Sequence, residues 1–143
     1  HLMEALVLSG LAMGLVGNSR PASGAEHHLA HFWEVRALAE GKEHPLHGES
    51  VGTATVVSAR LYSLMREFLP AGFEIPDEGL IARLLGRAGC AASPRDLGIS
   101  RDVFHESLLH AMEIRDRYTI LRLCDERGTL CALAEAVTGS FYG

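Results

Sequence analysis

Five of the eight histidines in this chain fall between His27 and His47, and neutral imidazole is a preferred ligand of Zn²⁺, Ni²⁺ and Fe²⁺. His27 and His31 are four residues apart, so on a helix their rings leave from the same face. His47 follows in Pro45-Leu46-His47-Gly48-Glu49, where a loop enters the next helix and Gly48 frees the backbone beside it. Two rings from a helix and one from a loop can converge on a single ion. Spacing alone leaves that reading open against surface or core histidines, because H-x-x-x-H pairs arise by chance in a histidine-rich helix. His28 faces another side of the helix, His44 lies in an exposed-looking loop, and His105 and His110 stand far down the chain. These four read as structural.

Other patterns are weaker. Ser19-Arg20-Pro21 precedes a helix N-terminus, where backbone N–H groups and Arg20 could hold an anion, or it is an ordinary polar turn. The charged run Glu113 to Arg117 reads as a solvated, ion-paired face. Three cysteines (Cys90, Cys124 and Cys131) form no C-x-x-C pair and are odd in number, as expected of reduced, buried or half-buried thiols in the cytoplasm. No G-x-S-x-G elbow, P-loop or G-x-G-x-x-G following a strand is present. A hydrolase using His27, His31 and His47 with Glu49 as base is a minor alternative.

These residues need a scaffold, and the composition supplies one. The 143 residues are 48% apolar and 22% charged, enough for one domain with a real core, read as residues 3–143. A net charge of -5 excludes nucleic acid and anionic membrane as main partners. Met3 to Val16 is apolar, but no basic segment precedes it and it is shorter than the ~20 residues of a bilayer span. His1 and Leu2 read as a tag remnant.

Hydrophobic period predicts helices throughout, hence an all-α fold. Glu4 to Val16 is apolar almost all round and must be covered on most sides. Ser23-Gly24-Ala25-Glu26 fits a capping box opening a helix to about Glu40, with Ala25, Leu29 and Phe32 on its apolar side and His27, His31 and Glu34 on another. A third helix covers Glu49 to Leu69, burying Val57, Leu61, Leu64, Met65 and Phe68. A fourth runs from near Pro76 to Gly89 and buries Leu80, Ile81, Leu84 and Leu85. Ser93-Pro94 opens a single turn, and Ser100 caps a long helix to about Glu126, with Ile114, Tyr118 and Leu121 on one face. Thr129 to Val137 closes the chain.

Several strings carry a resemblance. Ser9-Gly10-Leu11-Ala12-Met13, Asn18 to His28 (N-S-R-P-A-S-G-A-E-H-H) and His31-Phe32-Trp33-Glu34 resemble the sn-glycerol-1-phosphate dehydrogenases, relatives of iron-containing alcohol dehydrogenase, glycerol dehydrogenase and dehydroquinate synthase. His47 to Gly52 (H-G-E-S-V-G) is similar to that family's second metal motif, and Glu113 to Leu121 to its C-terminal helix. The resemblance implies a helical bundle like the C-terminal domain of the dehydroquinate synthase-like fold. It implies an NAD(P)-dependent oxidoreductase interconverting dihydroxyacetone phosphate and sn-glycerol 1-phosphate.

On that resemblance His27 and His47 match the two histidine ligands of a divalent metal (Zn, Ni or Fe), and an aspartate earlier in the chain supplies a third ligand. His31 matches a histidine beside the metal, which revises the three-ligand set that spacing proposes. Ser19 and Arg20 become contacts for a small phosphorylated substrate. The chain carries no segment matching the nucleotide-binding domain or the ligand aspartate, so NAD(P) would enter only through a domain supplied separately. The isolated chain should lack dehydrogenase activity. Its apolar first helix should drive homo-oligomerisation. A stand-alone helical binding or oligomerisation module that has lost catalysis is the alternative.

Overall fold

The computed structural model describes residues 1–143, the side chain of Leu2 excepted. The all-α expectation holds: among the described residues the regular elements are helices α1 (Leu2–Val16), α2 (Ala25–Ala39), α3 (His47–Leu64), α4 (Glu78–Arg87), α5 (Arg101–His110), α6 (Ile120–Glu126) and α7 (Leu130–Tyr142). Short 3₁₀ turns at Arg20–Ala22, Arg66–Phe68 and Ala111–Glu113 join them. No helix is long and apolar enough to cross a membrane.

The most extensive interface lies between α2 and α3, with α5, α6 and α7 packed around it. It can be close because α3 presents Ser50, Thr53, Ala54 and Val57, all fully buried, and none is bulky. Leu29 and Trp33 of α2 meet Leu61 of α3, Phe104 and Leu108 of α5, Leu121 and Cys124 of α6, and Val137 of α7 in one core. Some of the polar groups carried into it find partners, while the His28 ring nitrogens and the Ser50 and Thr138 hydroxyls have none among the described residues. The Trp33 indole Nε1–H donates to Ser107 Oγ at 2.9 Å, and Thr53 Oγ1 donates to the Ala91 carbonyl at 2.8 Å. Outside the core, Arg60 of α3 grips both carboxylate oxygens of Glu78 and lies 4.5 Å from the Phe141 ring centroid, linking α3 to α4 and α7.

The structure departs from the sequence expectations at several places. α2 starts at Ala25 rather than Ser23, and only half of the capping box forms: Glu26 Oε1 accepts the Gly24 N–H at 2.6 Å, while Ser23 makes no cap bond. α3 starts two residues early, at His47, and stops at Leu64, which is exposed; the Arg66–Phe68 turn completes the predicted span. α4 packs chiefly on α3, and Leu80 and Leu84 are exposed, contrary to the burial read from their spacing. The long helix from Ser100 breaks. Ser100 does cap α5, but the chain leaves the helix after His110, and Thr119 is extended (φ -136°, ψ 178°) before α6 begins. Of the three residues expected on one face of the long helix, Ile114 and Tyr118 are exposed and Leu121 is buried. Finally, α1 is not covered: its contacts concentrate on the Arg20–Ala22 turn. α7 also runs further than expected, to Tyr142, and Cys131 is exposed while Cys124 is buried.

Candidate metal centre

The α2 start and the α3 start together make the site. Gly24 N–H bonds to Glu26, which fixes the first turn of α2 and sets His27 and His31 one turn apart on the same side. α3 opens at His47 after the loop 40–46, and the α2–α3 contact carries this third ring onto α2. The ring centroids of His31 and His47 lie 5.1 Å apart, those of His27 and His47 5.6 Å, and those of His27 and His31 6.2 Å. His47, sixteen residues beyond His31 in sequence, thus joins the two α2 imidazoles in one cluster.

Two carboxylates stand behind the three rings. Glu34 Oε1 lies 2.8 Å from His47 Nδ1, and its Oε2 lies 3.4 Å from His31 Nδ1. Glu26 Oε1 lies 2.9 Å from His27 Nδ1. Burial alone would raise the Glu26 carboxyl, but hydrogen bonds from His27 and the Gly24 N–H outweigh it and hold its pKa below the ordinary value. A carboxylate acceptor at Nδ1 assigns the ring proton there and leaves Nε2 as a lone-pair donor, the arrangement that orients histidine for a metal.

His31 is different at its other nitrogen. Arg115 Nη2 lies 3.2 Å from His31 Nε2, so the guanidinium N–H donates to the lone pair a metal would need. Burial first, and the Arg115 charge second, push the His31 pKa down and keep the ring neutral. At His27 and His47 the ring nitrogen away from the carboxylate takes no such guanidinium donor among the described residues. His31, Glu34 and His47 also bring one ligand atom each within 4.8 Å of one another, the geometric alternative. In that set the Glu34 carboxylate would exchange its hold on the rings for the ion itself. The donor chemistry of imidazole nitrogen with carboxylate at hand fits Zn²⁺, Ni²⁺ or Fe²⁺.

The structure thus brings His27, His31 and His47 together. Ser19 stands nearby, accepting from Arg117 Nη2 at 2.8 Å. Arg20 is exposed on its 3₁₀ turn; its backbone N–H donates to Asn18 Oδ1 at 2.9 Å and its carbonyl accepts from the Ser23 N–H at 3.4 Å, while its guanidinium makes no hydrogen bond among the described residues. His28 is fully buried with neither ring nitrogen bonded among the described residues, and burial, then the Arg117 and Arg115 charges, push its pKa down. Sequence reasoning placed Glu34 on the right helix face without giving it a role, although it stands three residues from His31. It read Arg115 and Arg117 as part of a solvated, ion-paired face; Arg115 is exposed, but neither is ion-paired among the described residues and both bond across the fold. Their partners lie 84 to 98 residues away, and no local pattern signals that.

Fold and site define an all-helical domain with a histidine cluster, held by glutamates, that could take a divalent metal. No family model matches the chain. It is nevertheless a relative of glycerol-1-phosphate dehydrogenases named for NAD(P)⁺, and corresponds to a C-terminal part of them. It is 35% identical to the enzyme of Bacillus licheniformis, with 92% of this chain and 36% of that protein covered. It is 37% identical to that of Bacillus velezensis, with 92% and 37% covered. Against Methanocorpusculum labreanum identity reaches 42%, over 83% of this chain and 29% of the relative. The chain spans little more than a third of the length of the first relatives it matches.

Proposed function

We propose that residues 3–143 are the metal-binding, substrate-contacting helical domain of an NAD(P)-dependent glycerol-1-phosphate dehydrogenase, acting on dihydroxyacetone phosphate and sn-glycerol 1-phosphate. The observation that carries this is the convergence of His27 and His47, each with Nδ1 held by a glutamate, in a chain related to enzymes of that name. His27 and His47 would hold the divalent metal (Zn, Ni or Fe). Bound there, the ion acts as a Lewis acid on a substrate oxygen.

The chain's own residues do the rest in this reading. Glu26 and Glu34 fix the ring tautomers, and the neutral His31, its Nε2 satisfied by Arg115, stands beside the metal as a substrate contact. Ser19 and Arg20 belong to the loop that would receive the substrate's phosphate, ahead of the α2 N-terminus. The 143 residues contain no glycine-rich dinucleotide loop, so NAD(P) would be bound by residues other than these. A separate nucleotide-binding domain is therefore the partner this reading requires, and the chain alone should not oxidise NADH with dihydroxyacetone phosphate. We place the protein in the cytoplasm, where its three free thiols stay reduced. We also assign a homo-oligomer, with α1 at the contact.

Zn²⁺ or Ni²⁺ titration of the chain by calorimetry tests the metal assignment. His27→Ala and His47→Ala should each abolish high-affinity binding, and His31→Ala should leave it largely intact. Binding that survives His27→Ala but not His31→Ala would instead select the His31, Glu34 and His47 set.

A further inference from the structure

One group at the cluster has no role in metal binding and no charge partner. Loop 114–119 folds back so that Arg115 meets His31 and Arg117 meets the Ser19–Ser23 loop, donating to the Ser23 carbonyl at 3.1 Å and to Ser19 Oγ at 2.8 Å. Among the described residues neither guanidinium is ion-paired with a carboxylate, and Arg20 is not either. The carboxylates closest to the rings are already engaged, Glu26 by His27 and the Gly24 N–H and Glu34 by His47 and His31.

Arg117 spends donors on both protein acceptors and so ties the loop down. Arg115 is exposed and uses one donor, leaving most of its planar fork free. A guanidinium in this state, bonded to an imidazole and ion-paired with no carboxylate among the described residues, is arranged to receive an oxyanion bidentately.

We propose that Arg115 is the phosphate contact of this site, taking two oxygens of a phosphate monoester while its remaining donor stays on His31. This rests on the reading above that the ligand is a small phosphorylated molecule, and it adds a residue to the recognition of that molecule. It also shifts the weight of phosphate binding from the exposed Arg20, whose guanidinium has no hydrogen bond among the described residues, to Arg115. Because the same side chain touches both the anion and His31, anion binding would register at the imidazole.

The test uses the 143-residue chain and inorganic phosphate at fixed ionic strength, followed by calorimetry and by the imidazole resonances in NMR. Glycerol 1-phosphate and glycerol serve as second and third ligands. Arg115→Gln should weaken phosphate and glycerol 1-phosphate binding at least tenfold and remove the phosphate-induced shift of His31. Arg122→Gln, half-buried on α6 beside Asp125, should leave both unchanged, and glycerol should not compete with phosphate. Phosphate affinity equal in the parent and in Arg115→Gln, or a fall of the same size in Arg122→Gln, overturns the proposal. Zn²⁺ titration of the same variants separates the two claims. A phosphate affinity that depends on Arg115 in a chain that binds no metal upholds this inference and sinks the metal reading. Metal bound through His27 and His47 with phosphate indifferent to Arg115 does the reverse.

Discussion

Glu34 decides how the histidine cluster can be used, because one carboxylate serves two rings. Its oxygens lie 2.8 Å from His47 Nδ1 and 3.4 Å from His31 Nδ1. Glu34→Gln keeps the shape and removes the charge, and the amide cannot accept from both rings through equivalent oxygens. Removing such a supporting partner typically weakens metal binding about 10–100-fold. A competition titration with Zn²⁺ should show a loss of that size, whereas complete loss in Glu34→Gln with normal binding in His27→Ala would make Glu34 a ligand. A second residue-scale prediction concerns Cys124, fully buried in the core, where burial pushes its thiol from 9.0 up to about 11. The unfolded chain releases this proton first, so the stabilisation is complete below pH 9 and falls as pH rises through the window from 9 to about 11. The full swing is about 3 kcal/mol. Denaturation midpoints at pH 8 and 10.5 should fall more in the parent than in Cys124→Ala, which starts lower but has no thiol to titrate. At this scale the sequence revealed the three histidines, because helical spacing acts locally. Glu34's grip on His47 depends on α3 arriving beside α2, and spacing cannot show that.

At the scale of elements, the departures trace to tertiary contacts that outweigh local preference. Residues 114–119 were read as helix because nothing in them forbids it, yet Arg115 and Arg117 gain His31, Ser19 and the Ser23 carbonyl by leaving the helix. The caps were more legible: Ser100 Oγ accepts from Val103 N–H at 3.4 Å, as its position ahead of α5 requires. Arg117→Ala should loosen the tie between loop 114–119 and the segment ahead of α2. Hydrogen–deuterium exchange should then rise at residues 19–24 while the α3 core stays protected, and a uniform change across the chain would mean the contact has no local role. The α2–α5 contact offers a sharper case. Ser107→Ala leaves the buried Trp33 indole N–H without its acceptor, at a cost of about 1–3 kcal/mol. Trp33 is the chain's sole tryptophan, so its fluorescence during urea unfolding reports the change directly. An unchanged midpoint would show that the indole finds another acceptor.

For the whole molecule the decisive feature is α1. Its apolar circumference was legible, and so was the need to cover it, but no element of this chain does so. Met3, Leu6, Val7, Leu8, Leu11, Leu15 and Val16 are each at least 55% exposed, and Glu4 is the helix's only charge. Water penalises such a patch, which by side-chain count reaches several hundred Å², roughly the size that marks interaction surfaces. With almost no charge to match a polar partner, a second α1 is the complementary surface at hand, and Gly10 and Gly14 have no neighbour within 4 Å to obstruct it. The chain should therefore sediment as a concentration-dependent oligomer. Leu8→Glu with Leu15→Glu, one face of the helix, should shift it to monomer. A monomeric parent at high concentration would leave α1 to the nucleotide-binding partner instead. Because α1 rests on the Arg20–Ala22 turn and not on α2 or α3, the same double variant should bind Zn²⁺ within about twofold of the parent, as expected for distant, independent sites. A large loss would instead mean that α1 supports the histidine cluster through that turn.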